Sequence, residues 1–194
     1  MEIYLVRHGQ SEANVNRLVC GQMDVGLSEI GRDQVMRLGR ILGGIRFTRR
    51  YSSPLRRAID TASCITGIDE FVLEPRLMEM NTGKHSELTV SELLTLDGRF
   101  AHQGRHQYLN YPDGESLSQL YGRISSWFGE EMFSWADDDK ILIVGHEATV
   151  SCVAHHVFQI PLDRYPTFII PNASYILIQL DRVSNQARME FCRI

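Results

Sequence analysis

Two stretches of this chain, residues 2–6 and 141–144, are short apolar runs with β-branched content, and each leads straight to a histidine: Arg7-His8-Gly9 after the first, Gly145-His146 after the second. Unbroken apolar runs of this kind suit strands covered on both faces rather than strands with one wet side. A polar loop and then helix-spaced apolar residues follow each of them. A chain that repeats strand, histidine-bearing loop and helix is predicted to be an α/β protein around a largely parallel sheet. Ligands of such sheets collect beyond the carboxyl ends of the strands. Both histidines belong there.

The remaining pattern fills in the helices. Val35, Leu38, Leu42 and Ile45 recur at helical spacing after Ser28, with Gly43-Gly44 as the stop. Ser53 is expected to cap a second helix with Pro54 at its first position, with Leu55, Ile59 and Ala62 on one face and Gly67 near its end. Residues 71–73 read as a strand, and Thr89 with Glu92 as a capping box over a short helix. Residues 97–114 have no period and read as an irregular loop, with His102, Arg105, His106, Tyr108 and Tyr111 available for selectivity. Leu117, Leu120, Ile124 and Phe128 predict a helix after Ser116, ending near a solvated acidic run at 137–139. A further helix passes through Val153 and Val157, and residues 175–180 and 187–191 form a hairpin around Ser184-Asn185.

Composition narrows the function. The net charge of -4 and pI near 6.0 leave no basic stripe for a polyanion, so nucleic acid is not an expected partner. No apolar stretch approaches the roughly 20 residues that span a bilayer, and no targeting segment is evident, so no membrane partner and a cytoplasmic location are expected. Cys20, Cys64, Cys152 and Cys192 make no Cys-x-x-Cys pair and read as reduced, mostly buried thiols. His155-His156 point in different directions on a helix and have no third ligand in the sequence, so no metal is expected. The oligomeric state is not readable.

Arg57 follows a strand end at Tyr51-Ser52 and reaches the same sheet edge as Arg7, His8 and His146. Two guanidinium forks, two histidines and nearby helix starts suit a phosphate monoester. Taken singly, these residues also have ordinary structural readings: an Arg-His-Gly tripeptide is weak, an arginine on a helix is usually a surface cation as Arg56 is, and Glu79 by itself would face solvent.

The ordered set Leu5-Val6-Arg7-His8-Gly9-Gln10-Ser11-Glu12-Ala13-Asn14, Leu27-Ser28 with Gly31, Ser52-Ser53-Pro54-Leu55-Arg56-Arg57-Ala58 with Thr61-Ala62, Arg76-Leu77-Met78-Glu79, Tyr111-Pro112-Asp113-Gly114-Glu115-Ser116 and Val144-Gly145-His146 resembles the histidine phosphatase superfamily. This is the phosphoglycerate mutase-like family, branch 1. The resemblance implies a three-layer α/β/α fold with a mostly parallel sheet and helices on both faces, and a single domain over residues 1–194 in which residues 80–115 are a substrate-covering loop and helix insertion. It implies His8 as nucleophile, Arg7, Arg57 and His146 as phosphoryl-binding groups, and Glu79 as proton donor. It also implies phosphate contacts from Asn14 and from the backbone at Cys20-Gly21, no metal or organic cofactor, and a small phosphorylated metabolite as partner.

Such chemistry requires His8 to be neutral, which two flanking arginines favour, with its other ring nitrogen held by an acceptor such as the Gly9 carbonyl. A proton donor of raised pKa is needed for a poor alkoxide leaving group. The sequence departs from many relatives after Gly83, where Lys84-His85-Ser86-Glu87 replaces a Trp-Glu-Gly stretch, and after His146, where Glu147 replaces glycine. Glu147 is counted among the phosphate-site residues. Pointing inward it would repel a second phosphate; as a helix-start carboxylate it would face solvent. A metal-independent phosphomonoesterase is the expected function. A cofactor-dependent mutase is disfavoured by the short stretch between Glu79 and His146. A fructose-2,6-bisphosphatase-like activity and a catalytically inactive phospho-ligand module are the other readings.

Overall fold

The computed structural model of the protein describes residues 1–67, 70–96, 110–184 and 186–192. Its elements, in chain order, are β1 (Glu2–Arg7), α1 (Glu12–Val15), α2 (Glu29–Leu42), β2 (Arg49–Ser52), α3 (Arg56–Thr66), β3 (Val72–Leu73), α4 (Val90–Leu96), α5 (Leu117–Met132), β4 (Lys140–Gly145), α6 (Glu147–Val157), β5 (Tyr175–Asp181) and β6 (Gln186–Cys192). The strands form a six-stranded sheet in the order β3-β2-β4-β1-β5-β6. β1 pairs with β4 and β4 with β2 in parallel, whereas β5 runs antiparallel to both β1 and β6. The fold is therefore the expected mixed α/β sandwich, with an antiparallel hairpin closing one edge.

The two-residue period of a strand explains the three layers. Ile3, Leu5, Ile141 and Ile143 point to one face, where they pack with Leu120, Ile124, Trp127 and Phe128 of α5 and Val150 and Val153 of α6. Tyr4, Val6, Leu142 and Val144 point to the other, against Val35, Leu38 and Leu42 of α2 and Ala58, Ala62 and Ile65 of α3. Both faces are dry, so β1 and β4 read as continuous apolar runs. Parallel pairing of β1 with β4, Arg7 opposite Gly145, brings the two histidine loops side by side at one end of the sheet.

Several local expectations change. Helix α3 starts at Arg56, with Leu55 as a cap that makes no side-chain bond, so Ser53-Pro54 is not its N-terminus. A short helix, α1, occupies the polar turn after His8 and is closed by a capping box between Ser11 and Asn14. Helix α5 ends at Met132, and Asp139, read as solvated, is buried, where it accepts the Ala136 N–H at 2.8 Å. Of the thiols only Cys152 is fully buried, the other three being half-covered. The Thr89–Glu92 box over α4, and the Gly43 stop of α2, are as expected. The selectivity residues His102, Arg105, His106 and Tyr108 lie outside the described residues. So does Asn185 at the hairpin turn.

Candidate active site

The loop that carries His8 is fixed mainly by backbone. His8 N–H donates to the Gly145 carbonyl at 3.0 Å, so the end of β4 holds the end of β1. The His8 carbonyl accepts Ala173 N–H at 3.0 Å and the Asn172 side-chain amide at 3.2 Å. Gly9 N–H donates to Thr61 Oγ1 at 3.2 Å. Gly31, at the start of α2, makes the neighbouring loop possible: a Cβ there would stand 1.9 Å from the Gln10 carbonyl oxygen.

The side chains assign their own tautomers. His8 Nδ1 lies 2.6 Å from the Gly9 carbonyl, which can only accept, so Nδ1 carries the proton and Nε2 keeps a lone pair. Arg57 Nε donates at 3.2 Å both to that Nε2 and to Nδ1 of His146. His146 must then be protonated on Nε2, which donates to Ser53 Oγ at 2.8 Å. The two rings meet edge to face with centroids 5.1 Å apart. The hydroxyl expected to cap a helix instead holds the second histidine.

Burial, first, and the positive charges of Arg57 and Arg7, second, push the His8 pKa well below its ordinary value. Burial thus outweighs the arginines as the reason it is neutral. His146 is driven down in the same order of causes, burial and then Arg57. Arg57 is 2% exposed beside an exposed Arg56, and its terminal nitrogens donate to the carbonyls of Met23 at 2.7 Å and Gly21 at 2.8 Å. Gly21 has φ +47°, and a Cβ would come within 2.3 Å of Thr82 Oγ1. The Cys20-Gly21 turn therefore meets the site through a carbonyl that anchors Arg57, while Cys20 Sγ turns to the Met23 carbonyl at 3.7 Å.

Arg7 Nη1 donates to the Ile170 carbonyl at 2.5 Å and pairs with Glu147 at 2.7 Å. Glu147, the first residue of α6, does turn toward the site. Because it can only accept, it stands there as the counter-ion of Arg7 and not as a phosphate ligand. Asn14 is tied to the His8 loop through Asn172, and its Oδ1 accepts Ser11 N–H, Ser11 Oγ and Asn172 Nδ2 at 3.0, 3.0 and 3.2 Å, so only its amide NH2 could serve a ligand's oxygen.

Glu79 lies between β3 and a turn of 3-10 helix at Gly83–His85. Its carboxylate accepts Met80 N–H at 2.8 Å and Ala148 N–H, in the first turn of α6, at 3.4 Å. Burial raises its pKa against the opposing pull of those amides and of Arg57. His85 is buried and meets the Tyr111 ring at 5.7 Å between centroids. Among the described residues no three His, Cys, Asp or Glu side chains converge as a metal site. Ser53, expected only as a helix cap, and Asn172 and Thr61, expected in no role, support the histidines; Pro171-Asn172-Ala173-Ser174 is a turn-type sequence, the one local signal that points to Asn172.

The sequence model of the histidine phosphatase superfamily (branch 1) matches residues 3–190. Phosphoserine phosphatase 1 of Hydrogenobacter thermophilus is 29% identical over 190 residues, covering 95% of this chain and 89% of that protein. A protein of Escherichia fergusonii named "Probable phosphoglycerate mutase GpmB" is 28% identical over 170 residues, 83% of this chain and 76% of that one. Mycobacterial glucosyl-3-phosphoglycerate phosphatase Rv2419c, solved with VO3, superposes with a TM-score of 0.85 at 26% identity, covering 98% of this chain and 97% of that one.

Proposed function

The chain belongs to the histidine phosphatase superfamily, branch 1, and on that premise we propose that it is a metal-independent phosphomonoesterase acting on a small phosphorylated metabolite through a phosphohistidine at His8. One observation carries the reading. His8 Nδ1 is committed to the Gly9 carbonyl, which leaves the Nε2 lone pair on the side where Arg57 donates.

In the first step Arg57 turns its Nε–H from His8 Nε2 to the incoming phosphoryl oxygens, and the freed Nε2 lone pair attacks phosphorus as the ester P–O bond breaks. Arg7, Arg57 and the Asn14 amide share the charge on the phosphoryl oxygens, while His146, whose Nδ1 accepts from Arg57, positions that guanidinium. Glu79 gives its proton to the departing oxygen, releasing an alcohol. In the second step the Glu79 carboxylate takes a proton from water, the resulting hydroxide attacks phosphorus, the P–N bond breaks, and inorganic phosphate leaves with His8 neutral again.

Glu147 favours hydrolysis of a monophosphate over a bisphosphate reaction. It already neutralises the outer nitrogen of Arg7 at 2.7 Å, and its charge opposes a second phosphate nearby. The relatives named as phosphatases support the hydrolytic direction. The test is turnover of an aryl phosphate in EDTA, with radioactive phosphate trapped on the protein by rapid denaturation. Acid-labile, base-stable label on wild type and none on His8→Ala is the expected result. Full activity in His8→Ala, or activity abolished by EDTA, would sink the proposal. Phosphoryl exchange dependent on 2,3-bisphosphoglycerate would replace the hydrolase by a mutase.

A further inference from the structure

The proton donor stands on a segment with no sheet or α-helix of its own. Between β3 and the 3-10 turn at Gly83–His85, residues 74–81 have a short 3-10 turn at Pro75–Leu77 and then run as irregular backbone. Irregular backbone must find partners for its carbonyls elsewhere. Here one side chain collects them. Arg123, in the second turn of α5, donates from Nη1 to the Arg76 carbonyl at 2.5 Å and from Nη2 to the Glu79 carbonyl at 3.0 Å. The same guanidinium is gripped by Glu115, with Nε to Oε1 at 2.7 Å and Nη2 to Oε2 at 3.0 Å. Glu115 also holds the strap directly, its Oε2 accepting Asn81 N–H at 2.8 Å and its own N–H donating to the Asn81 carbonyl at 2.8 Å. Gln22 adds a second donor to the Glu79 carbonyl at 3.0 Å.

We propose that Arg123 and Glu115 are positioning residues for the proton transfer: a planar ion pair anchored on α5 that fixes the backbone on both sides of Glu79 and so aims its carboxyl at the leaving oxygen. The proposal rests on Glu79 as the proton donor. Geometry gives the pair this job. Both side chains are about 19% exposed, Arg123 spends its donors on the carbonyls at residues 76 and 79 as well as on Glu115, and Glu115 reaches residue 81. The clamp thus brackets the acid. A second tie runs parallel to it: Arg76 bonds Glu74 at 3.0 Å and Glu130 of α5 at 2.7 Å, which secures the outer end of the same segment to the same helix. Arg123 is suited to the role by its fork, since an ammonium cannot span a carboxylate and two carbonyls at once.

A group that aims the acid matters in proportion to how much the leaving oxygen needs a proton. The full-length protein and its Arg123→Lys and Glu115→Gln variants are compared on an alkyl phosphate, β-glycerophosphate, and on p-nitrophenyl phosphate, whose leaving group departs without help. Arg123→Lys is expected to lower kcat/KM about 30-fold for the alkyl ester and under about 3-fold for the aryl ester, because small misplacement of a reacting group is costly. Glu115→Gln keeps the shape and is expected to lower the same ratio about 5-fold, so a fold lost in one variant is covered by the other. Made in a Glu79→Gln background, Arg123→Lys should cost the alkyl ester nothing further.

Equal losses on both esters would overturn the proposal, as would additive losses in the Glu79→Gln background. If Glu79→Gln itself spares the alkyl ester, the proton-donor reading falls and takes the clamp with it. If Glu79→Gln behaves as expected while Arg123→Lys is indifferent to the leaving group, the clamp alone falls.

Discussion

The two sides of this site are built by different means. His8 and His146 stand at the ends of neighbouring parallel strands, and the backbone bond from His8 to Gly145 makes their approach a consequence of sheet register. Glu79 stands on irregular chain, placed by Arg123, Glu115 and Gln22. His8 is thus as rigid as the core beneath it, whereas Glu79 is as well placed as a set of side-chain bonds allows. Substitutions on the first side should damage every substrate alike. Those on the second should discriminate by leaving group.

The largest effect belongs to the nucleophile. His8→Ala should remove the covalent route for aryl and alkyl phosphates together, leaving no label trapped on the protein; substantial turnover of either ester would break the comparison at its base. Next comes Glu79→Gln, which should lower kcat/KM for an alkyl phosphate by on the order of 10²- to 10⁴-fold and for an aryl phosphate far less. Its pH dependence has a definite sign. The proposed mechanism needs neutral His8, whose pKa burial holds well below 6.5, and, for an alkyl ester, protonated Glu79, whose pKa burial raises above 4.5. Alkyl ester turnover should therefore fall as pH rises through the raised pKa of Glu79, and a pH profile of the aryl ester should lack that limb.

Smaller changes sharpen the contrast. Ser53→Ala leaves the buried Nε2–H of His146 without its 2.8 Å partner, which should cost about 1–3 kcal/mol of stability by denaturant unfolding and slow both esters together. A selective loss on the alkyl ester would contradict it. Glu147→Gln should have the gentlest effect: it frees Arg7 and removes a charge, so kcat/KM for a bisphosphate relative to a monophosphate should rise about 3- to 10-fold, in keeping with a partly exposed charge contact. No change in that ratio would return Glu147 to an ordinary helix-start carboxylate.

The same division separates what was legible from what was not. Residues 2–6 and 141–144 announce buried strands by local composition, Arg7, His8 and His146 follow from where those strands end, and Arg57 from the strand end at Tyr51-Ser52; the structure brings all four together. The cap at Ser53 was misread because a serine before proline is a good helix start locally, while its partner, His146, is remote in sequence. Asp139 was misread for a similar reason: a run of aspartates looks solvated until the Ala136 N–H and the start of β1 close around one of them. Asn172, Thr61 and Arg123 carry residue types that any turn or helix surface uses.

By itself the sequence determined the layers, the direction of most strands and the family, and named the candidate residues that the structure gathers, because strand and helix periods and ordered motifs are written in neighbouring residues. Tertiary structure alone decided the tautomers of the two histidines, the turning of Glu147 onto Arg7, and the grip of α5 on the segment that carries Glu79. These depend on the direction of single hydrogen bonds between residues far apart in the chain, and a hydroxyl, amide or guanidinium shows its partner only once the backbone has brought that partner within about 3 Å.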